Sequence, residues 1–165
     1  MLGELRELER EALAEMRALI FELRPANLEQ DGLVQAIRTH AAGIQGRVGL
    51  SVRVECAVPD DRAPLEVETA LYRITQEALH NVVKHADANA VTILLTGSAD
   101  TGLRLSVRDD GTGFDPLVIP AGHLGIAGMR ARASQIGATI DVVSAAGSGT
   151  RIEVLVPAER LAGGA

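Results

Sequence analysis

The chain has 165 residues, room for one compact domain and little for two. Hydrophobic residues make up 47% of it but aromatic ones only 2%, so any core is built from Leu, Ile, Val and Ala. With 16 basic against 22 acidic residues, a formal charge of −6, one cysteine and no apolar run near the ~20 residues of a membrane span, the chain argues against a nucleic-acid surface, a disulfide, a multi-cysteine zinc site and a transmembrane helix.

Residues 1–24 differ from the rest. Leu2, Leu5, Glu9, Ala12, Met16, Leu19 and Leu23 step by threes and fours, the a/d seam of a coiled coil or helical bundle. Leu8, Leu13 and Ile20 widen the stripe. The step favours packing on helices of a second chain; an amphipathic helix packed on its own domain is the plainer alternative. Pro25 ends it, because the residue before a proline avoids helical geometry.

After a Pro25-Ala26-Asn27 joint, residues 28–46 read as a helix with Leu33, Ala36, Ile37, His40 and Ala41 on one face. A strand follows, with Val52, Val54, Cys56 and Val58 in one phase; Cys56 reads as a small core residue. Residues 64–86 read as a long helix whose apolar stripe is Leu71, Ile74, Ala78 and Val82, with Pro64 suited to the first turn. Two strands in hairpin order come next, around 91–95 and 103–107, joined by Ser98–Gly102. Residues 109–123 have no period and read as a loop. A helix at 124–136 precedes two final strands, around 140–142 and 152–156, and residues 158–165 read as frayed. Every strand alternates, so one sheet face is buried. The expected fold class is α/β: a two-layer sandwich with about five strands in a mixed sheet and three helices on one face.

Three features fall where core residues are not expected. On the 64–86 helix, Glu77 and Asn81 are one turn apart, Lys84 lies beyond them, and His85 sits between this line and the apolar stripe. Carboxylate and amide oxygens suit Mg²⁺ and a lysine neutralises phosphate, although such a line is also what a solvated helix face looks like. Asp109-Asp110-Gly111-Thr112-Gly113-Phe114 follows a strand directly. Asp109 ends the period-two run, where a carboxylate can accept from an exocyclic amine, and Gly111 and Gly113 let backbone approach a flat ligand; an ordinary Asp-Gly turn is the alternative. Gly122 to Met129 is a glycine stretch opening into a helix whose free amides suit phosphate; a simple cap is the alternative. No G-x-x-x-x-G-K-[ST] occurs, which excludes a P-loop.

In order and spacing, the asparagine helix, the Asp-Gly-x-Gly loop, the glycine-opened helix and Gly147-Ser148-Gly149-Thr150 together resemble the four boxes of the GHKL ATPase superfamily. That group holds histidine kinases, gyrase-type topoisomerases, ninety-kilodalton heat-shock chaperones and mismatch-repair ATPases. Gln76-Glu77-Ala78-Leu79-His80-Asn81-Val82-Val83-Lys84-His85-Ala86 looks like the N box of the histidine-kinase subfamily paired with NarL/LuxR-type response regulators, which carry a helix-turn-helix output domain. Phe21-Glu22-Leu23-Arg24-Pro25 and Gly125-Ile126-Ala127-Gly128-Met129-Arg130 look like that subfamily too. The resemblance covers about residues 12 to 157.

It implies a Bergerat-type ATP-binding fold and a role for each matching position. Asn81 would be the Mg²⁺ ligand, and Glu77 would stand near the triphosphate and the attacking group as the second catalytic residue. Lys84 and His85 would contact phosphate or sugar. Asp109 would bind the adenine amino group, with Gly111 and Gly113 lining the base pocket. Residues 114–124, with His123 and Leu124, would form a lid, and Gly125, Ile126 and Gly128 would wrap the phosphates. Thr150 would help fix Asp109 or a bridging water. Ile126 and Ala131 stand where the family usually has Leu and Glu.

No histidine of the four stands in an E-L-H-D-like motif, so the resemblance implies a phosphoacceptor on an upstream dimerisation domain outside this chain. Residues 1–24 would be the end of that domain, 25–160 the ATP-binding catalytic domain and 161–165 a disordered tail. ATP and Mg²⁺ are the implied cofactors. The implied partners are the dimerisation domain, a response regulator and, in the full-length homodimer, a second copy; no nucleic acid is implied. The domain would be cytoplasmic, with membrane anchoring of the parent left open. A serine-directed anti-sigma-factor kinase of the same superfamily and a non-catalytic ATP-binding or dimerisation module are the alternatives. The Phe21–Pro25 motif and heptad helix argue against the first, and the intact boxes against the second.

Overall fold

The computed structural model describes residues 28–59, 62–115, 117–118 and 124–162. The expected helix over 1–24, the Pro25–Asn27 joint, His123 and the tail from 163 lie outside the described residues.

Helix α1 spans Leu28–Val48 and buries Leu28, Leu33, Ala36, Ile37, Ala41 and Ile44. It is broken at Gly32, whose φ of 79° and ψ of 169° are not helical. Gly49, with φ +71°, ends it by returning its N–H to the Gln45 carbonyl at 3.1 Å. His40, at the edge of the buried stripe, meets Tyr72 edge-on with ring centroids 6.1 Å apart. Burial, and then the Arg47 charge, hold the His40 pKa below the usual histidine value.

Strand β1 is Ser51–Ala57 and helix α2 is Leu65–Asn81. One α-helix was the expectation for 64–86. Instead the α-helix ends at Asn81, and Val82–Ala86 form a wider π turn, stopped by Asp87 at φ 47°. At its end the Ala86 carbonyl takes the Thr112 N–H at 2.7 Å, a bond from the loop after β3.

Strands β2 (Ala90–Ser98) and β3 (Gly102–Asp109) make the expected hairpin. Helix α3 (Leu124–Gln135) and strands β4 (Thr139–Ser144) and β5 (Thr150–Val156) follow. The tail differs from its expectation: Ala158–Arg160 form a 3₁₀ turn, and Leu161 is buried against the core.

The five strands lie in the order β1-β2-β3-β5-β4, with β1 parallel to β2 and the other neighbours antiparallel. The helices cover one face. Across it the register makes rows: Val54, Ile93, Val107, Ile152 and Val142, and beside them Cys56, Leu95, Leu105, Val154 and Ile140. Leu71, Ile74, Ala78 and Leu79 of α2 and Met129 and Ala133 of α3 close over these rows. Cys56 packs at the margin of this core, as its phase predicts, and burial raises its thiol pKa. The other face carries Arg53, Glu55, Thr92, Arg108, Arg151 and Asp141 towards water.

One tie joins α1 to α2. Glu68, 3% exposed, holds Arg62 through two bonds of 2.8 and 2.6 Å. The same guanidinium donates to the Leu28 carbonyl at 2.8 Å and the Glu29 carbonyl at 3.2 Å. It therefore clamps the start of α1, and the side chain lies beside Gly32, where a Cβ would meet Arg62 Nε at 3.4 Å. Arg62→Ala strands a buried carboxylate. Because water reaches the guanidinium side, the expected loss is about 2 kcal/mol, read as a lower urea midpoint at unchanged slope; an unchanged midpoint would show that the clamp is decorative.

Candidate functional site

The helix-facing side of the sheet has one more row, at the end where β3 stops and β5 begins. Val52 and Val91 begin it, and Asp109 occupies the next place. Asp109 is 5% exposed, where its neighbours in phase, Leu105 and Val107, are apolar core. A carboxylate in such a place needs donors. Its Oδ1 accepts the Gly111 N–H at 2.8 Å and the Thr150 N–H at 3.3 Å. Among the described residues no donor is found on Oδ2, and the residue lines an open cleft.

The loop after Asp109 is pinned along its length. Asp110 Oδ1 accepts the N–H groups of Asn89 and Ala90, both at 2.9 Å. These bonds, Ala90's foremost, hold its carboxyl below the usual aspartate pKa. Thr112 donates to Ala86 and accepts from Gly147 N–H at 2.6 Å, and Phe114 N–H reaches Ser144 Oγ at 2.9 Å. Glycine is required at two points of this winding. A Cβ on Gly111 would run into the Ala86 carbonyl, and one on Gly113, at φ +62°, would run into the carbonyls of Ala145 and Gly149.

The cleft between this loop, α2 and α3 has a volume of about 580 Å³, within the range of small-molecule sites. Its floor is apolar: Val107, Val142, Ile152 and Ile126. Glu77, His80, Asn81, Lys84 and His85 line the α2 side, and Leu124 and Gly125 the α3 side. The two helices touch closely here. A Cβ on Gly125 would strike the Glu77 carboxylate and come within 3.3 Å of Asn81 Nδ2. The amino end of α3, whose first amides have no acceptor within the helix, thus opens beside an acid and an amide.

Of the residues singled out in the sequence, Glu77, Asn81, Lys84, His85, Asp109, Gly113, Leu124, Gly125, Ile126 and Thr150 converge on this cleft. Gly111 and Gly128 do not line it. Gly111 makes a close contact between loop and helix end, and a Cβ on Gly128 would meet only the Arg132 side chain, at 2.9 Å. Thr150 reaches Asp109 through its backbone amide, not its hydroxyl. Sequence reasoning missed His80, which lines the cleft, and Ser144, which bonds to Phe114 and Thr150. Ser144 was findable: it follows Ile140 and Val142 in phase, a polar residue on an apolar face, the same sign that marked Asp109.

A family model, described as histidine kinase-, DNA gyrase B-, and HSP90-like ATPase, matches residues 66–160, more than half of the chain. The chain belongs to that ATPase family. The sensor histidine kinase LiaS of Bacillus subtilis is 41% identical over 147 residues, covering 89% of this chain and 40% of LiaS. Sensor protein VraS of Staphylococcus haemolyticus is 37% identical over 156 residues, covering 94% of this chain and 44% of VraS. The chain therefore spans about two fifths of the length of these relatives. The histidine kinase domain of the Erythrobacter litoralis EL346 blue-light activated histidine kinase superposes with a TM-score of 0.62 at 25% identity, over 78% of this chain and 66% of that one. The two-layer sandwich with its five-stranded mixed sheet is the fold of these histidine kinase ATPase domains.

Gly113 and Gly147 provide a matched test of the loop's winding. Both have positive φ, 62° and 78°, but Gly147 has open space where a Cβ would go. Alanine at 147 should cost only the left-handed backbone, about 1–2 kcal/mol. Alanine at 113 adds the collision, so its thermal midpoint should fall further by at least about 4 °C and ligand binding should be lost with it. Equal midpoints for the two variants would show that the loop yields without cost.

Proposed function

We propose that the chain is the Mg-ATP-binding catalytic domain of a sensor histidine kinase, passing the γ-phosphoryl group to a histidine on an upstream dimerisation domain, for relay to a response regulator. The observation that carries the reading is the meeting, on one cleft, of a buried carboxylate with one oxygen to spare, an acid–amide pair on α2 and the amino end of α3. The first suits an amino-substituted base and the last suits phosphate.

In this reading the base lies over Val107, Val142 and Ile152 with its amino group on Asp109 Oδ2. Lys84 and His85, at the exposed mouth, meet phosphate or sugar oxygens. The α3 amides at Gly125 and Ile126 receive the phosphates, and Leu124 and His123 belong to a lid over them. Asn81 and Glu77 offer hard oxygen donors. Mg²⁺ characteristically keeps several waters and takes few protein ligands, so this pair would suffice to hold it. When bound, Mg²⁺ would neutralise charge on the phosphates. Glu77 would orient the attacking group, and the cleft's main work is positioning and charge compensation, as phosphoryl transfer requires.

The relatives' names favour this over an anti-sigma-factor-type serine kinase. The N-box likeness extends the proposal to a regulator of the NarL/LuxR type. It further takes residues 1–24 as the end of a homodimerisation helix and the domain as cytoplasmic.

Asn81→Ala should weaken ATP binding at least about tenfold with Mg²⁺ present and little in EDTA. Titration calorimetry in both conditions checks this, and an equal loss in each would remove Asn81 from the metal. With labelled ATP and Mg²⁺ the chain alone should gain no acid-labile, base-stable phosphate. Supplied with a purified dimerisation domain bearing its acceptor histidine, it should transfer label slowly, since the tether that raises effective concentration is missing. Label on the chain itself, or none on the supplied domain, would contradict the proposal.

A further inference from the structure

Ser144 ends β4 opposite Thr150 in the ladder, and its single hydroxyl joins three segments. It lies 2.9 Å from the Phe114 N–H, 3.0 Å from the Gly149 carbonyl and 2.9 Å from Thr150 Oγ1. A serine hydroxyl has one hydrogen and two lone pairs. The Gly149 carbonyl can only accept, so the Ser144 hydrogen goes there. The Phe114 amide can only donate, so it takes one lone pair. The contact with Thr150 is then satisfied in one way: the Thr150 hydroxyl donates to the second lone pair of Ser144.

This fixes what the cleft wall offers. Thr150 Oγ1 has used its hydrogen and keeps only lone pairs. Asp109 Oδ1 is already occupied by two amides, and Oδ2 is an acceptor. Both side chains line the cleft. We infer that Ser144, which does not itself line the cleft, sets the hydrogen-bond polarity of the base pocket, making Thr150 an acceptor beside Asp109 so that the site selects a 6-amino over a 6-oxo purine. An amino group meets acceptors there. A carbonyl in its place meets lone pairs, with no hydrogen offered by either side chain.

Ser144 is thus a positioning residue acting through Thr150. The inference rests on the proposed adenine nucleotide site and refines it. The test compares ATP with inosine triphosphate, a 6-oxo purine, by calorimetry on the full chain with Mg²⁺. The unaltered chain should prefer ATP. Ser144→Ala frees the Thr150 hydroxyl to turn and donate, so the ATP preference should shrink about tenfold. Ser144→Thr keeps a hydroxyl and should keep the preference. Thr150→Val removes the hydroxyl but retains the backbone N–H to Asp109; it should shrink the preference likewise, and the double variant should shrink it no further than Thr150→Val does. Should Ser144→Ala fail to fold, Thr150→Val carries the test alone.

If Ser144→Ala weakens ATP and inosine triphosphate equally, Ser144 is merely structural and the inference is overturned. A wild-type preference in Thr150→Val overturns it too. If the unaltered chain binds neither nucleotide, the nucleotide site itself is wrong and the inference falls with it, a result distinct from either of the others.

Discussion

A carboxylate withdrawn from water on the core side of a sheet is the constraint on which the rest of this structure turns. Asp109 sits where the alternation of β3 calls for an apolar side chain. Burying it without partners would cost several kcal/mol. The two amides that satisfy it come from two separate stretches of the chain, Gly111 just after β3 and Thr150 at the start of β5. Meeting both demands brings the loop after β3 and the turn before β5 against each other backbone to backbone. That approach leaves no room for a Cβ at Gly113 or Gly149, the latter facing the Asp109 carbonyl. Satisfying the carboxylate and shaping the pocket are therefore one event.

The same loop reaches the helix layer. Its Thr112 amide takes up the Ala86 carbonyl that the end of α2 would otherwise leave unpaired. The π turn at Val82–Ala86 carries Lys84 and His85 to the cleft while α2 proper, through Ile74 and Ala78, stays seated on the sheet. On the other side Gly125 lets α3 come down on Glu77 and Asn81. Sheet end, helix end and helix start are thus referenced to one another through short contacts that add to the hydrophobic core, in which Val91 and Ile126 take part.

Much of this was legible in the chain. Alternation located all five strands, and the Leu71, Ile74, Ala78 stripe located α2, because both patterns follow from which face is buried. Asp109 was legible as a polar residue in an apolar phase. The π turn was not, since the contact that its last carbonyl makes comes from a residue in the loop after β3. The break at Gly32 was hidden for a similar reason: its meaning lies in Arg62, which reaches across to Leu28 and Glu68. The contact of Gly111 with Ala86 was not legible either, because a glycine signals only that something comes close. Here the neighbour is the protein's own backbone. Leu161 escaped notice because one apolar residue after a strand carries no period.

The hairpin turn at Ser98–Gly102 lies at the opposite end of the sheet from Asp109. It is closed locally, by Ser98 and Thr101 bonding to each other through hydroxyls and amides, and Ala99 to Thr101 are exposed. The two ends of one sheet thus offer very different latitude to change. At the Asp109 end a single added carbon meets backbone, as it does at Gly97 and Gly102 flanking the hairpin; between these two, at Ala99 to Thr101, an inserted segment meets solvent. A fluorescent reporter or an affinity handle spliced into that tip would ride on the same rigid strands that carry the carboxylate, yet stay a full strand length away from it. The molecule supplies its own neutral attachment point for following the cleft without touching it.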